Sequence, residues 1–133
     1  MITDKEIAWA AGLIEGEGYL TWINGYPAIG VEMTDKDVID RYAALFPAPR
    51  GRKVMHRKNK NYTPGSSSPR LDSYRYEVQG GTAIGVMMTL YPLMGLRRQA
   101  RIREMVLAWR AGPYYSAPGS IRGRNKEAKT RRL

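Results

Sequence analysis

Apolar and polar positions alternate in two registers along this chain, and the switches between them mark the elements. From Ile7 to Gly16, good helix formers carry apolar residues on more than one side of a helical wheel. Thr3 with Glu6 three residues on is a capping-box pair that starts this helix, and Gly16 and Gly18 stop it. Tyr19 to Ile23 alternates as a strand does, Asn24-Gly25 is a strong hairpin signal, and Tyr26 to Met33 alternates again. A second helix is expected from an N-cap at Thr34, with Asp35 and Asp37 in its first turn, to about Phe46 before Pro47. Arg52 to Lys58 and Ser73 to Gln79 form a second pair of strands around a Pro/Gly/Ser-rich stretch, read as a long loop. Gly80-Gly81-Thr82 opens a third helix that runs to about Met94, with Pro92 straining its last turn, and Arg97 to Ala111 is a fourth. The predicted fold is one α+β domain over residues 1–111, with four antiparallel strands covered on one face by helices. A basic, Pro/Gly-punctuated tail over 112–133 follows it.

Alternation also sorts the strand side chains. Leu20, Trp22, Ile29, Val31 and Met33 belong under the helices, as do Tyr74, Tyr76 and Val78. That leaves Tyr19, Thr21, Ile23, Tyr26, Ala28, Gly30, Glu32, Arg75, Glu77 and Gln79 on the open face. In the third strand Val54 and Met55 compete for the core. With Val54 inward, Lys53, Met55 and Arg57 turn outward.

Composition narrows the chemistry. The 133 residues include no cysteine, which excludes disulfides, cysteine nucleophiles and thiolate metal sites, and one histidine, His56, which excludes a three-histidine zinc centre within one chain. No apolar run is long enough for a membrane span and the N-terminus is too acidic for a signal peptide, so an intracellular protein with no membrane partner is expected. The formal net charge is +10, which calls for a polyanionic partner, most often nucleic acid. The basic residues cluster between Arg50 and Lys60, at Arg97, Arg98, Arg101 and Arg103, and in the tail, which includes Arg122, Arg124 and Lys126. The tail and the long loop are expected to track a phosphate backbone rather than to read sequence.

The first helix is chemically odd. Ala8, Gly12 and Gly16 recur every four residues with Ala11 beside them, a face almost without side chains that lets another helix approach closely. Glycines merely tolerated near a helix end are the alternative. Glu15 and Glu17 sit at the C-terminal end, where the dipole disfavours acids. Two such helices packed together would converge their carboxylates into a site for a hard divalent cation, whereas a single acidic turn would hold nothing.

The string Ala10-Ala11-Gly12-Leu13-Ile14-Glu15-Gly16-Glu17-Gly18 resembles the signature of the LAGLIDADG homing endonucleases, departing from it at Ala10, where leucine is usual. The element order up to about Ala111 is also similar to that family's helix–strand–strand–helix–strand–strand–helix domain. The resemblance implies a saddle-shaped sheet in the DNA major groove and a catalytic metal held by Glu17 with the Gly16 carbonyl. In it Glu15 serves mainly helix-end and interface structure. A single motif copy implies a homodimer whose interface includes Ala8, Ala11, Gly12, Glu15 and Gly16. Asp35 falls where the family often orders water near the scissile phosphate. Arg97, with Arg98 as rival, falls where some members place a basic residue near the metal.

The implied activity is site-specific, double-strand DNA cleavage at a long, roughly palindromic site, by a protein encoded within a mobile intron or intein. Mg²⁺ is the expected cofactor, Mn²⁺ is expected to substitute, and Ca²⁺ to support binding without turnover. The alternative is a protein of the same fold without cleavage, either a maturase with intron RNA as partner or a DNA-binding regulator.

Overall fold

The computed structural model of the chain describes residues 1–49, 53–58 and 71–112. It is an α+β arrangement: α1 (Asp4–Glu17), β1 (Gly18–Ile23), β2 (Tyr26–Met33), α2 (Lys36–Leu45), β3 (Met55–Arg57), β4 (Ser73–Gln79), α3 (Gly80–Leu90) and α4 (Leu96–Ala111). The four strands make one antiparallel sheet in the order β1-β2-β4-β3, so the two hairpins meet along β2 and β4. The expected element order is present, and the bounds of β2 and β4 are those read from alternation.

Local chemistry accounts for the elements. The capping box is complete: Thr3 N donates to Glu6 Oε2 at 2.7 Å and Glu6 N donates to Thr3 Oγ1 at 3.2 Å. The bond from the Thr3 backbone N–H, with the Thr3 side chain adding to it, stabilises the ionised Glu6 carboxylate and lowers its pKa. Asn24 and Gly25 both take positive φ, 51° and 82°, as a two-residue hairpin turn of type I′ requires.

Three expected boundaries move. The N-cap of α2 is Asp35, not Thr34, and its side chain makes no capping bond. The third helix stops at Leu90 rather than Met94, because Pro92 opens a separate 3₁₀ turn, Tyr91–Leu93, instead of straining an α-helical one. The third strand is three residues long, since only Met55–Arg57 pairs with β4, and Arg52 lies outside the described residues.

Gly18 ends α1 through close packing, not through a left-handed conformation. Its φ is −80°, and a Cβ there would lie 2.7 Å from the Ile14 Cα. Gly18→Ala must push backbone against backbone, and it is expected to cost about 1–3 kcal/mol, read as a lower urea midpoint at unchanged slope.

The core lies between the inner sheet face and the helices, with Ile14, Ile29, Val31, Ile39, Tyr42, Tyr76, Val78, Met87, Leu90, Ile102 and Met105 among its buried members. Leu20, Trp22, Met33, Val54 and Tyr74 pack partly buried against it, as alternation expects. Tyr42 lies between the rings of Phe46 and Tyr76, with centroids 5.4 and 6.0 Å away. The Tyr76 hydroxyl donates to the Phe46 carbonyl at 2.6 Å, so one aromatic stack ties α2 to β4. Burial raises the Tyr42 pKa, with Tyr76 adding to the effect.

Candidate nucleic-acid interface and helix-end site

Antiparallel register brings the candidate catalytic residues to one end of the sheet. Gly18 pairs with Val31, and Met33 pairs with Tyr74. The end of α1 therefore lies beside the β2–α2 junction that holds Asp35. The N-terminus of α4 closes the same corner: Gly95 N, at its N-cap, donates to Glu15 Oε2 at 3.2 Å. A Cβ on Gly95 would lie 2.7 Å from Glu15 Oε1, so glycine permits this approach.

The two acids of α1 consequently part company. Glu15, an unfavourable charge at its own helix end, is compensated by the N-terminal end of α4 and by Arg98, whose Nε lies 3.9 Å from Oε2. Glu17 is exposed and has no ion pair or hydrogen bond among the described residues. The Gly16 carbonyl belongs to the same last turn, where helices have no internal donor for their carbonyls. Glu17 and Gly16 offer oxygens only, from one carboxylate and one carbonyl. That set fits Mg²⁺, which keeps several waters and is commonly held by one or two carboxylates plus substrate phosphates. Among the described residues no group of three His, Cys, Asp or Glu gathers within one chain.

Asp35 and Arg97 are both exposed; Asp35 contributes its backbone carbonyl to the first turn of α2, accepting from Val38 N and Ile39 N at 3.2 and 3.3 Å. Arg98, expected to bind DNA or to rival Arg97 near the metal, instead turns inward. Its Nη2 donates to the carbonyls of Glu15 and Gly18 at 3.3 and 3.0 Å, and its side chain is 13% exposed. Two other arginines of the cluster are engaged as well, whereas Arg97 is exposed. Arg101 pairs with Glu104 at 3.0 Å and Arg103 donates to the Tyr91 hydroxyl at 2.8 Å.

On the face expected at a dimer seam, Ala8, Gly12, Glu15 and Gly16 are exposed, and a Cβ on either glycine would meet nothing within 4 Å. Ala11 differs: it is 2% exposed and belongs to the protomer's own core. Beside the small-residue face a groove of about 480 Å³ runs between α1 and α2, walled by Trp9, Leu13, Val38 and Arg41. The Arg41 guanidinium sits 3.9 Å from the centre of the Trp9 ring.

The outer sheet face is polar but closely paired. Glu32 accepts from Arg57 at 3.2 Å and from Ser73 at 2.8 Å. Glu77 accepts from Tyr19 at 2.7 Å and from Gln79 at 3.0 Å. Burial, followed by the bond to Glu77, raises the Tyr19 pKa. Thr21 and Ile23 are partly exposed, and Lys53, Met55 and Arg57 are exposed, in line with the outward assignment. Arg75 is partly buried beside Met55, its Nη2 3.9 Å from the sulfur.

Three outward assignments need correction. Ala28 and Gly30 do face outward but are buried, because larger neighbours on β1 and β4 overhang the central strand. A Cβ on Gly30 would lie 2.5 Å from the Tyr19 hydroxyl. Tyr26 packs on Trp109 of α4, ring centroids 6.0 Å apart, and so belongs with the helix layer. His56 stacks on Tyr74, ring centroids 5.0 Å apart, and sets Nε2 2.8 Å from Asp72 Oδ2 at the sheet edge.

Charge is divided unevenly. The described residues hold twelve Lys and Arg against eleven Asp and Glu, a net of +1 within the chain's +10. The other +9 belongs to residues 50–52, 59–70 and 113–133. The expected backbone-tracking residues Arg50, Arg52, Lys60, Arg122, Arg124 and Lys126 all lie outside the described residues. Each phosphate contact adds about 0.9 to the slope of log affinity against log salt. Deleting Ile121 to Leu133, with its six basic residues, is therefore expected to flatten that slope by up to about 5 per chain while base preference stays. Fluorescence anisotropy across a salt series measures it, and an unchanged slope would remove the tail from the interface.

No family model, curated protein or solved structure matches the chain. Among the described residues no helix is long and apolar enough to cross a membrane.

Proposed function

We propose that this chain is a site-specific, double-strand DNA endonuclease of the LAGLIDADG homing type, acting as a homodimer with Mg²⁺. The observation that carries the reading is the end of α1. There the exposed Gly16-Glu17 pair, free of local ion pairs, borders an exposed face of Ala8, Gly12 and Gly16. Two copies packed along that face bring two Glu17 carboxylates together at one axis. The antiparallel sheet with its order β1-β2-β4-β3, covered on one side by helices, is compatible with the saddle of that fold.

In this reading Glu17 and the Gly16 carbonyl hold the metal ion, which when bound polarises a phosphate and lowers the pKa of a water. Asp35 orients water at the same corner. Arg97, an exposed cation at the start of α4, stabilises charge on the phosphate. Tyr19, Thr21, Gln79, Arg57 and Arg75 face the groove, where Arg matches guanine and Gln matches adenine. The charge carried by residues 50–52, 59–70 and 113–133 supplies the affinity that does not depend on sequence.

The test is a cleavage selection with the full chain on a randomised duplex library in Mg²⁺. The expected result is one recovered site with two related halves, cut on both strands, and captured without cutting in Ca²⁺. A duplex that is bound tightly and cut in neither Mg²⁺ nor Mn²⁺ would point to a DNA-binding regulator. A chain that binds and cuts no duplex in the library but retains a structured RNA in a parallel filter-binding assay would point to a maturase.

A further inference from the structure

We propose that Arg98 is a positioning residue, which sets the direction of the Gly16 carbonyl and the Glu17 carboxylate by clamping the backbone on both sides of them. The proposal rests on the reading of Glu17 as the metal-holding carboxylate.

The carbonyls that Arg98 Nη2 reaches, those of Glu15 and Gly18, bracket the Gly16-Glu17 dipeptide. One terminal nitrogen thus fixes the chain immediately before and immediately after the two groups that would face a cation. The junction is where α1 hands over to β1 with no residue between them, so a small rotation of either peptide would swing Glu17 across the corner.

Three features make the clamp stiff. The arginine side chain is mostly buried. It rises from the same face of α4 as Ile102 and Met105, one and two turns along, and both of those are core residues. Glu15, itself held by Gly95 N, lies 3.9 Å from Arg98 Nε, which is buried without a hydrogen-bond partner among the described residues, so the contact between carboxylate and guanidinium is an ion pair and not a hydrogen bond.

Electrostatics favours the same arrangement. The last turn of α1 contains no basic residue of its own. Its C-terminal end and the Glu15 carboxylate therefore draw their compensating charge from another helix. Arg98 neutralises Glu15 and the helix end from the inside, and it leaves Glu17 to act on what lies outside. A guanidinium suits this task better than an ammonium, because its planar fork keeps several donors at fixed directions. Groups that orient a metal-holding residue without touching the metal typically influence affinity by about 10–100-fold when removed.

The experiment is Mn²⁺ titration of the full chain in the presence of duplex DNA, which supplies the phosphates, followed by electron paramagnetic resonance, for wild type, Glu17→Gln, Arg98→Met and Arg98→Gln. Melting temperature and amide exchange at Gly18, whose N–H bonds to the Ile14 carbonyl, are measured beside it. Wild type is expected to bind Mn²⁺ and Glu17→Gln to lose it. Each folded Arg98 variant is expected to bind about 10–100-fold more weakly, with faster exchange at Gly18. Wild-type Mn²⁺ affinity in either folded Arg98 variant overturns the positioning role while leaving the metal reading intact. Wild type that binds no Mn²⁺, or Glu17→Gln that binds it unchanged, overturns the metal reading and the positioning role with it.

Discussion

Glu17→Gln is expected to leave the fold and DNA binding in place while cleavage in Mg²⁺ falls by roughly 10³-fold or more, the scale of losing several kcal/mol of charge stabilisation. The fold should survive because no ion pair or hydrogen bond among the described residues depends on Glu17. Removing an acid from a helix C-terminus even favours the helix, by about 0.3–1 kcal/mol. Binding should persist because nearly all of the net positive charge is carried by residues 50–52, 59–70 and 113–133 and none of it depends on Glu17. The companion Glu15→Gln should reduce cleavage much less, since an amide oxygen can still accept from Gly95 N. Single-turnover cleavage and filter binding on the same duplex separate the two effects. Wild-type cleavage by Glu17→Gln would end its assignment as the metal-holding residue.

Gly12→Leu is expected to convert a dimer into a stable monomer. A Cβ at Gly12 meets nothing within 4 Å, so the protomer has room for the new side chain. Exchanging glycine for leucine in a helix also removes a penalty of about 0.8–1.0 kcal/mol. The protomer itself should therefore be no less stable, and the variant should lose only the concentration-dependent part of the melting temperature that dimerisation adds. At a two-fold seam the same leucine enters twice. Overpacking of about 1–3 kcal/mol for each weakens association by roughly 10²-fold or more. Sedimentation velocity with and without duplex DNA reads the result. A wild-type chain that is monomeric in both conditions would remove the two-fold arrangement, and a variant that melts far below wild type at dilutions where wild type is itself monomeric would show that α1 packs differently within the protomer.

Much of the fold was legible because the signals are local. Thr3 and Glu6 meet one turn apart, Asn24-Gly25 adopts the only backbone its neighbours' twist favours, and alternation in Tyr26–Met33 and Ser73–Gln79 needs no knowledge of partners. What alternation could not supply was depth. It gives the side of the sheet on which Ala28 and Gly30 lie, but their burial depends on the size of residues across two other strands. The candidate site divided in the same way. Glu15 and Glu17 stood out together as misplaced acids, and only the arrival of α4 distinguishes the compensated one from the free one. Arg98 was missed as an inward residue because an arginine among arginines reads as surface. The available signal was its spacing from Ile102 and Met105, which puts all three on one helix face.

The recessed central strand gives the outer sheet two rails and a floor. With Ala28 and Gly30 sunk beneath their neighbours, the side chains that stand proud rise from β1 on one side and β4 on the other. Strands one apart in a sheet are separated by about 10 Å, twice the spacing of adjacent strands, and the major groove is about 12 Å wide. A duplex lying along such a surface would be touched along two lines that are tied across the floor at one place, where the Tyr19 hydroxyl of β1 donates to Glu77 of β4 at 2.7 Å. Tyr19 and Glu77 would then be coupled through their bond, while residues on different rails outside it would contribute nearly independent increments of base preference, as well-separated positions in a DNA site usually do. New target preferences could be assembled by combining substitutions from the β1 rail with substitutions from the β4 rail, whereas a bulkier residue at Gly30 would disturb both lines at once.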